Sequence, residues 1–265
     1  PDSKKLKWCP KPLRPAVNSI LNLTPSRANS PLRVFHSAEN LRHDTVPAEY
    51  SISFDLNISS EQHFRLPYWM EMIDWSHEGI LGNQNPRYGS LMTIERLMQP
   101  LGNHFLSKPK AAAFLSSHIR EPRSTLFETV NQIIPVTGFG AHFNKNIKNH
   151  LQSGFAKQEL LQQFAFNLCP ENSMYPGYYT EKIPEAFFAD CLPITWADEN
   201  VKVDFNPNAL INLAPMSWSN FEPLKDILTS TARLSEYAEQ PLLLKAPSIL
   251  PFRDYVKRIL EDATT

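Results

Sequence analysis

Residues 164–196 read FAFNLCPENSMYPGYYTEKIPEAFFADCLPITW, and their order of apolar runs and breakers sets out a strand, a loop, a helix and a second strand. Residues 164–169 are a short apolar and aromatic run closed by Pro170, a pattern that suits a buried strand better than a helix. Thr180 stands where a helix cap belongs, ahead of Ile183, Ala186 and Phe187 at helical spacing, and residues 192–196 read as the next strand. Such a crossover is almost always right-handed. The 170–179 loop is therefore expected beyond the carboxyl end of its strand, where open α/β sheets bind ligands.

Working outward, α/β alternation extends over residues 112–214: a strand at 112–116, a helix at 124–133, a loop rich in Gly, Asn and Lys, and a short helix at 157–163. Upstream, residues 32–37 and 50–56 are strand candidates, and Leu91, Ile94, Leu97, Met98 and Leu101 recur at helical spacing over 90–101. Downstream, Leu224, Ile227 and Leu228, and then Phe252, Tyr255, Val256, Ile259 and Leu260, form amphipathic faces. Residues 1–31 have no sustained period and read as loop or extended chain. With 23 prolines and only 8 glycines, the bends are fixed rather than flexible.

The 265 residues suffice for one large domain or two small ones with real cores. A formal charge of -1, with 42% hydrophobic and 20% charged residues, describes an ordinary soluble globular chain and argues against nucleic acid or anionic membrane as broad partners. Any anion site must be local. No apolar run approaches the ~20 residues of a membrane span, and no secretory signal is visible, although a first residue of Pro rather than Met suggests trimming. Cys9, Cys169 and Cys191 are odd in number without metal-ligand spacing, which points to a reducing, cytoplasmic setting; peripheral attachment to an inner membrane is left open. Cys169 and Cys191 are expected as small buried residues. Sequons at Asn22 and Asn57 are too short a pattern to imply secretion.

The quoted stretch resembles the signature region of the α-1,3/4-fucosyltransferases, glycosyltransferase family 10. Phe166 to Cys169, Glu171-Asn172, Gly177 to Lys182 and Pro193 to Trp196 match that family's blocks in type and order. Weaker matches lie at Val34 to Asn40, Phe64 to Pro67, Arg123, Pro135 to Gly138, Asp204 to Pro207 and Ile211 to Leu213, so the similarity covers about residues 31 to 213. The resemblance implies a GT-B-like α/β fold with acceptor site in the amino-terminal half and donor site in a Rossmann-like second half, here residues 1–105 and 106–265. About 38 residues precede Glu39, too few for the several βα units of a whole Rossmann-like domain at ~30 residues each. The acceptor half is thus expected to be reduced, truncated or differently built.

Moving a sugar from a nucleoside diphosphate requires stabilisation of the leaving diphosphate, by metal or cationic side chains, and inversion requires a base on the attacking hydroxyl. No Asp-x-Asp motif occurs, so Arg123, Lys182 and backbone amides are expected to replace a metal, with no cofactor beyond the donor. Lys182 falls in the first turn of the expected helix, where an ammonium is unfavourable by about 0.3–1 kcal/mol unless an anion answers it. A solvated surface lysine is the alternative. Arg123 matches the family's phosphate-contacting arginine; an ion pair with Glu121 or Glu128 competes, and Arg120 is the rival if the alignment slips. By the same resemblance Glu181 would accept from the ribose hydroxyls, Tyr178 would present its hydroxyl to phosphate, and Asn172 would stand at the donor site. For Glu181 the alternative is favourable charge at a helix start, and for Tyr178 it is packing. Glu39 aligns with the proposed general base, His36 being a minor rival and a solvated loop glutamate the bland reading.

The leading expectation is an inverting enzyme that moves L-fucose from GDP-fucose to a hydroxyl of an N-acetylglucosamine-containing or related glycan, with no nucleic-acid partner. Ala197-Asp198, where glycine is more usual, keeps a different GDP-deoxyhexose in view. A nucleotide-sugar or glycan binding module without turnover, and a structural protein in which Tyr178, Glu181 and Lys182 merely tie a loop, are the other classes.

Overall fold

Among the described residues, successive strands of each sheet are joined by crossovers rather than tight turns, and two wholly parallel sheets result. The computed structural model describes residues 31–83, 86, 88–143, 155–216 and 220–264. The expectations for residues 1–30, including Cys9 and the Asn22 sequon, and for most of the 140–154 loop lie outside the described residues.

The first sheet joins β1 (Val34–His36), β2 (Tyr50–Ser53) and β3 (His63–Arg65) in that order. Beta-strand pattern continues to Leu56 in the sequence, but Ser53 Oγ bonds Asp55 Oδ2 at 2.7 Å and accepts from Asp55 N, and this local turn takes the chain out of the ladder. Next come α1 (Ile94–Leu97) and α2 (His104–Ser107). The helical period over 90–101 thus yields a single turn, because Pro100 cannot continue a helix, although Leu97 and Leu101 are still buried.

The second sheet contains β4 (Ala112–Leu115), β5 (Val136–Phe139), β6 (Phe166–Leu168), β7 (Leu192–Thr195) and β8 (Ile211–Asn212), ordered β5-β4-β6-β7-β8. Strands β6 and β7 are buried along their whole length, as a sheet covered on both faces requires, which explains their unbroken apolar sequence. Helix α3 (Arg123–Asn131) joins β4 to β5, α4 (Phe155–Leu161) leads into β6, and α5 (Lys182–Phe188) joins β6 to β7. Thr180 does not cap α5: the cap position is Glu181, without a side-chain cap bond, because the Thr180 hydroxyl is taken elsewhere. Cys169 and Cys191 are buried thiols packed with Ala186 and Leu161.

Helices α6 (Glu222–Thr229), α7 (Thr231–Ala238) and α8 (Leu250–Thr264) complete the chain. Helix α8 returns to the first sheet, where Tyr255 Oη gives to Gln62 O at 2.6 Å and Tyr50 Oη gives to Asp262. One hydrophobic cluster runs from Tyr50, Ile52 and Trp69 through Phe114, Phe166 and Ile194 to Phe205 and Tyr255, so both sheets share a core. Arg65 adds a fork to Asp204, with bonds of 2.9 and 2.7 Å.

The loop after β6 touches the first sheet through Gly177, whose φ is +89° and where a Cβ would collide with the Phe54 carbonyl. Gly79 also has positive φ, +76°, but nothing stands within 4 Å of its missing Cβ. Gly79→Ala should therefore cost about 1 kcal/mol from backbone strain alone. Gly177→Ala should cost about 2 to 3 kcal/mol, since backbone must also move. Equal shifts of the urea midpoint in the two variants would show that the approach to Phe54 carries no energy.

Candidate active site

The strand order reverses between β4 and β6, and in open α/β sheets the crevice beyond the carboxyl ends at such a point is where ligands bind. A cleft of about 590 Å³ opens there, within the roughly 300–1,000 Å³ usual for small-molecule sites. Ser116 and Ser117 reach it from the end of β4, Asn172 and Tyr178 from the loop after β6, and Glu39, Tyr68 and Met72 from the first half. Glu39, Arg123, Asn172, Tyr178, Glu181 and Lys182 all line this one cleft. Arg120 and His36 do not.

The loop takes its shape from Glu171, only 1% exposed. Its carboxylate accepts from Thr180 N at 2.8 Å, from Thr180 Oγ1 at 2.9 and 3.1 Å, and from Lys182 Nζ at 3.0 Å. A buried carboxylate is tolerable only when paired and hydrogen-bonded, and this one is both. Lys182 also gives to Thr180 Oγ1 at 2.6 Å. Burial works against the Lys182 ammonium, yet Glu171 and Glu181 together outweigh it and hold its pKa above the ordinary lysine value. The ammonium at the start of α5 thus has an anion within the fold, Glu171, so it is not the solvated surface lysine weighed against a phosphate ligand. Lys182 remains on the cleft wall with a third N–H to give.

Arg123 begins α3 and is 7% exposed. Its Nη1 gives to Ser116 Oγ at 3.1 Å and to His118 Nε2 at 3.2 Å, and its Nη2 gives to Asn172 Oδ1. Glu121 instead bonds Ser124 and Thr125, so the ion pair considered for Arg123 is not formed with it. Asn172 orients the guanidinium across the gap between β4 and β6. Burial lowers the pKa of Arg123, offset in part by Glu171 and Tyr178, and an arginine remains charged regardless.

Two residues that the sequence reading did not single out complete the charged wall. Lys157, on α4, donates to Glu185, which is 1% exposed and lies one turn beyond Glu181 on α5. Burial pushes the Glu185 carboxyl up to about 7, against the pull of Lys157. Burial would raise Glu181 too, but Lys182 and Lys157 hold it below the usual carboxylate range. Among the described residues, no group of three or more His, Cys, Asp or Glu is placed to hold a metal ion.

Glu39 lines the cleft and is exposed. Tyr178 serves both readings made of it: its ring packs edge-on against Phe54 at 5.0 Å, and it also lines the cleft. Burial pushes its phenol up to about 12, so it is a hydrogen-bond donor at neutral pH. His36 Nε2 is 2.8 Å from Glu71 Oε1, and that bond occupies the nitrogen and raises its pKa, which leaves less of the ring as free imidazole at neutral pH. Asp198 caps a short 3₁₀ turn through Asn200 N and accepts from Tyr179 Oη at 2.9 Å. Asp198, in the Ala197-Asp198 departure, thus has a structural role as cap and acceptor.

The Glu171–Lys182 pair generates a stability prediction. Lys182→Ala leaves a buried carboxylate without its cation, a loss of about 3–5 kcal/mol for a fully buried pair, and of about 2–3 kcal/mol here because Lys182 is a fifth exposed. Adding Glu171→Gln should recover part of that loss. A Lys182→Ala protein with a parental urea midpoint would mean that the pair does not organise the loop.

Residues 105–238 match the family model described as glycosyltransferase family 10 (fucosyltransferase) C-term. An alpha-(1,3)-fucosyltransferase of Helicobacter pylori is 29% identical over 215 residues, which are 74% of this chain and 43% of that protein. The chain spans less than half the length of the curated relatives it matches. A crystal structure of an alpha1,3-fucosyltransferase with GDP-fucose superposes with a TM-score of 0.65 at 24% identity, covering 89% of this chain and 76% of that one. A second alpha1,3-fucosyltransferase structure gives a TM-score of 0.63 at 26% identity, over 87% and 72% of the two chains. The parallel α/β architecture is GT-B-like, as the resemblance implied. Among the described residues no helix is long and apolar enough to cross a membrane. With the signature loop, the β4–β6 cleft and the family match on the same residues, the chain belongs to glycosyltransferase family 10.

Proposed function

We propose that this chain carries out inverting α-1,3-type fucosyl transfer, from GDP-fucose to a hydroxyl of an N-acetylglucosamine-containing or related glycan. The observation that carries the reading is that Glu39 lines one cleft together with Arg123, Asn172, Tyr178, Glu181 and Lys182 in a family 10 chain. Residues 1–105 present the acceptor side and 106–265 the donor side. Glu39 takes the proton of the acceptor hydroxyl as its oxygen attacks the anomeric carbon. The bond from that carbon to the diphosphate oxygen breaks on the opposite face, which inverts the centre. Arg123 and Lys182 meet the charge that develops on the leaving diphosphate, and Tyr178 adds a neutral donor. Both cations are already held by Asn172 and Glu171, so little reorganisation accompanies the reaction. Glu181 accepts from the ribose hydroxyls. The buried thiols Cys169 and Cys191 support a reducing, cytoplasmic setting.

Two measurements test the reading. GDP affinity should persist in excess chelator, because the diphosphate ligands are arginine and lysine; complete loss restored by a divalent metal would overturn the cationic assignment. Glu39→Gln keeps shape and hydrogen bonding but removes basicity, so kcat with GDP-fucose and a lactosamine-type acceptor should fall ~10² to 10⁴-fold, with GDP affinity within a few-fold of the parent. A near-parental kcat, where chemistry limits turnover, would remove Glu39 from the mechanism.

A further inference from the structure

The floor of the cleft is nearly charge-balanced before any ligand is considered. Arg123, Lys157 and Lys182 supply its cations; Glu181, Glu185 and Glu39 line it, and Glu171 backs Lys182. Cations are therefore outnumbered by carboxylates among the described residues. A nucleoside diphosphate sugar brings about two more negative charges at neutral pH. Their field must raise the proton affinity of the nearby carboxylates, most of all of one that is buried and thinly compensated.

The geometry singles out Glu185. Glu171 is fully engaged by Thr180 N, Thr180 Oγ1 and Lys182. Glu181 is kept low by Lys182 and Lys157. Glu185 has Lys157 of α4 as its ion-pair partner and shares its own helix with the like-charged Glu181, one turn away, and with Lys182. From the segment ahead of α1, Tyr88 also faces it, with a buried phenol that burial and then Glu185 itself keep protonated. We propose that Glu185 takes up a proton from solvent when a nucleoside diphosphate sugar enters the cleft, leaving the Lys157 ammonium as uncompensated positive charge beside the diphosphate. The ion pair becomes a hydrogen bond between ammonium and neutral carboxyl, and the cleft gains one positive charge toward the two it receives. This rests on the donor-site reading above.

The consequence is proton-linked binding. Burial already brings the Glu185 carboxyl to about 7, so below about pH 6 it is mostly protonated and no uptake is needed. Above that value each molecule bound draws a proton, and Kd rises by up to about tenfold per pH unit until the pH passes the pKa of the liganded state. Titration calorimetry with GDP-mannose, whose diphosphate has no group titrating near neutrality, is run at pH 8 in phosphate and in Tris, which differ in ionisation heat. The expected result is a buffer-dependent heat equal to uptake of roughly half to one proton, and Glu185→Gln should abolish both it and the pH dependence of Kd. Buffer-independent heat in the parent protein overturns the proposal, whether or not the variant folds. Uptake that persists in Glu185→Gln overturns it as well, by assigning the proton elsewhere. Failure of both GDP-mannose and GDP to bind would instead bring down the donor-site reading itself.

Discussion

The cleft depends on one buried carboxylate, that of Glu171. An ion without water must find its partners in the chain, and Glu171 draws them from both ends of a single loop: the Thr180 amide and hydroxyl and the Lys182 ammonium. This fixes the path from Pro170 to α5. It also decides what the neighbouring residues cannot do. Thr180 cannot cap the helix while its hydroxyl faces Glu171, and Lys182 cannot extend freely into solvent. A long, flexible cation is converted into a placed one, which is what a site for a leaving diphosphate requires.

The sheet then supplies the position. Because β5 lies on one side of β4 and β6 on the other, the chain segments that leave β4 and β6 diverge at their carboxyl ends, and the gap between them cannot be filled by a crossover helix. Arg123 bridges that gap through Ser116 on one side and Asn172 on the other. The guanidinium therefore joins the two strand ends and is itself held by them. Removing water from it strengthens its field, at an energetic cost that its hydrogen bonds offset.

What could be read from the sequence was what depends on local pattern. The apolar runs at 112–116, 164–169 and 192–196 gave the central strands because buried parallel strands have no polar alternation to obscure them. The loop was legible through its resemblance to a family signature. Lys157 and Glu185 were not, because each sits in a helix where such residues usually face solvent, and only the fold brings them together. A signal existed for one of them: Glu185 lies between Ile183-Pro184 and Ala186-Phe187, a segment with no polar neighbour to share its exposure. The Thr180 cap failed for a different reason, since cap preference is a weak local term and a buried carboxylate nearby is a strong one.

The proposed base and the proposed phosphate ligands come from different sheets, so their alignment is only as good as the contact between the sheets. That contact is dense on this edge. Gly177 passes against the Phe54 carbonyl without a side chain, Tyr178 and Tyr175 pack on the Phe54 ring, and Arg42 lies over Tyr175. Asn40, next to Glu39, gives its amide to Ser173 in the same loop. The loop that carries the donor-side residues is thereby tied to the segment that carries Glu39, within a few residues of each. Misplacement of about 1 Å between reacting groups can cost on the order of a hundredfold in rate, and a pair of walls linked only through a distant core would not hold that tolerance. Glu39 itself stays exposed in the cleft, where an arriving acceptor sugar would cover it.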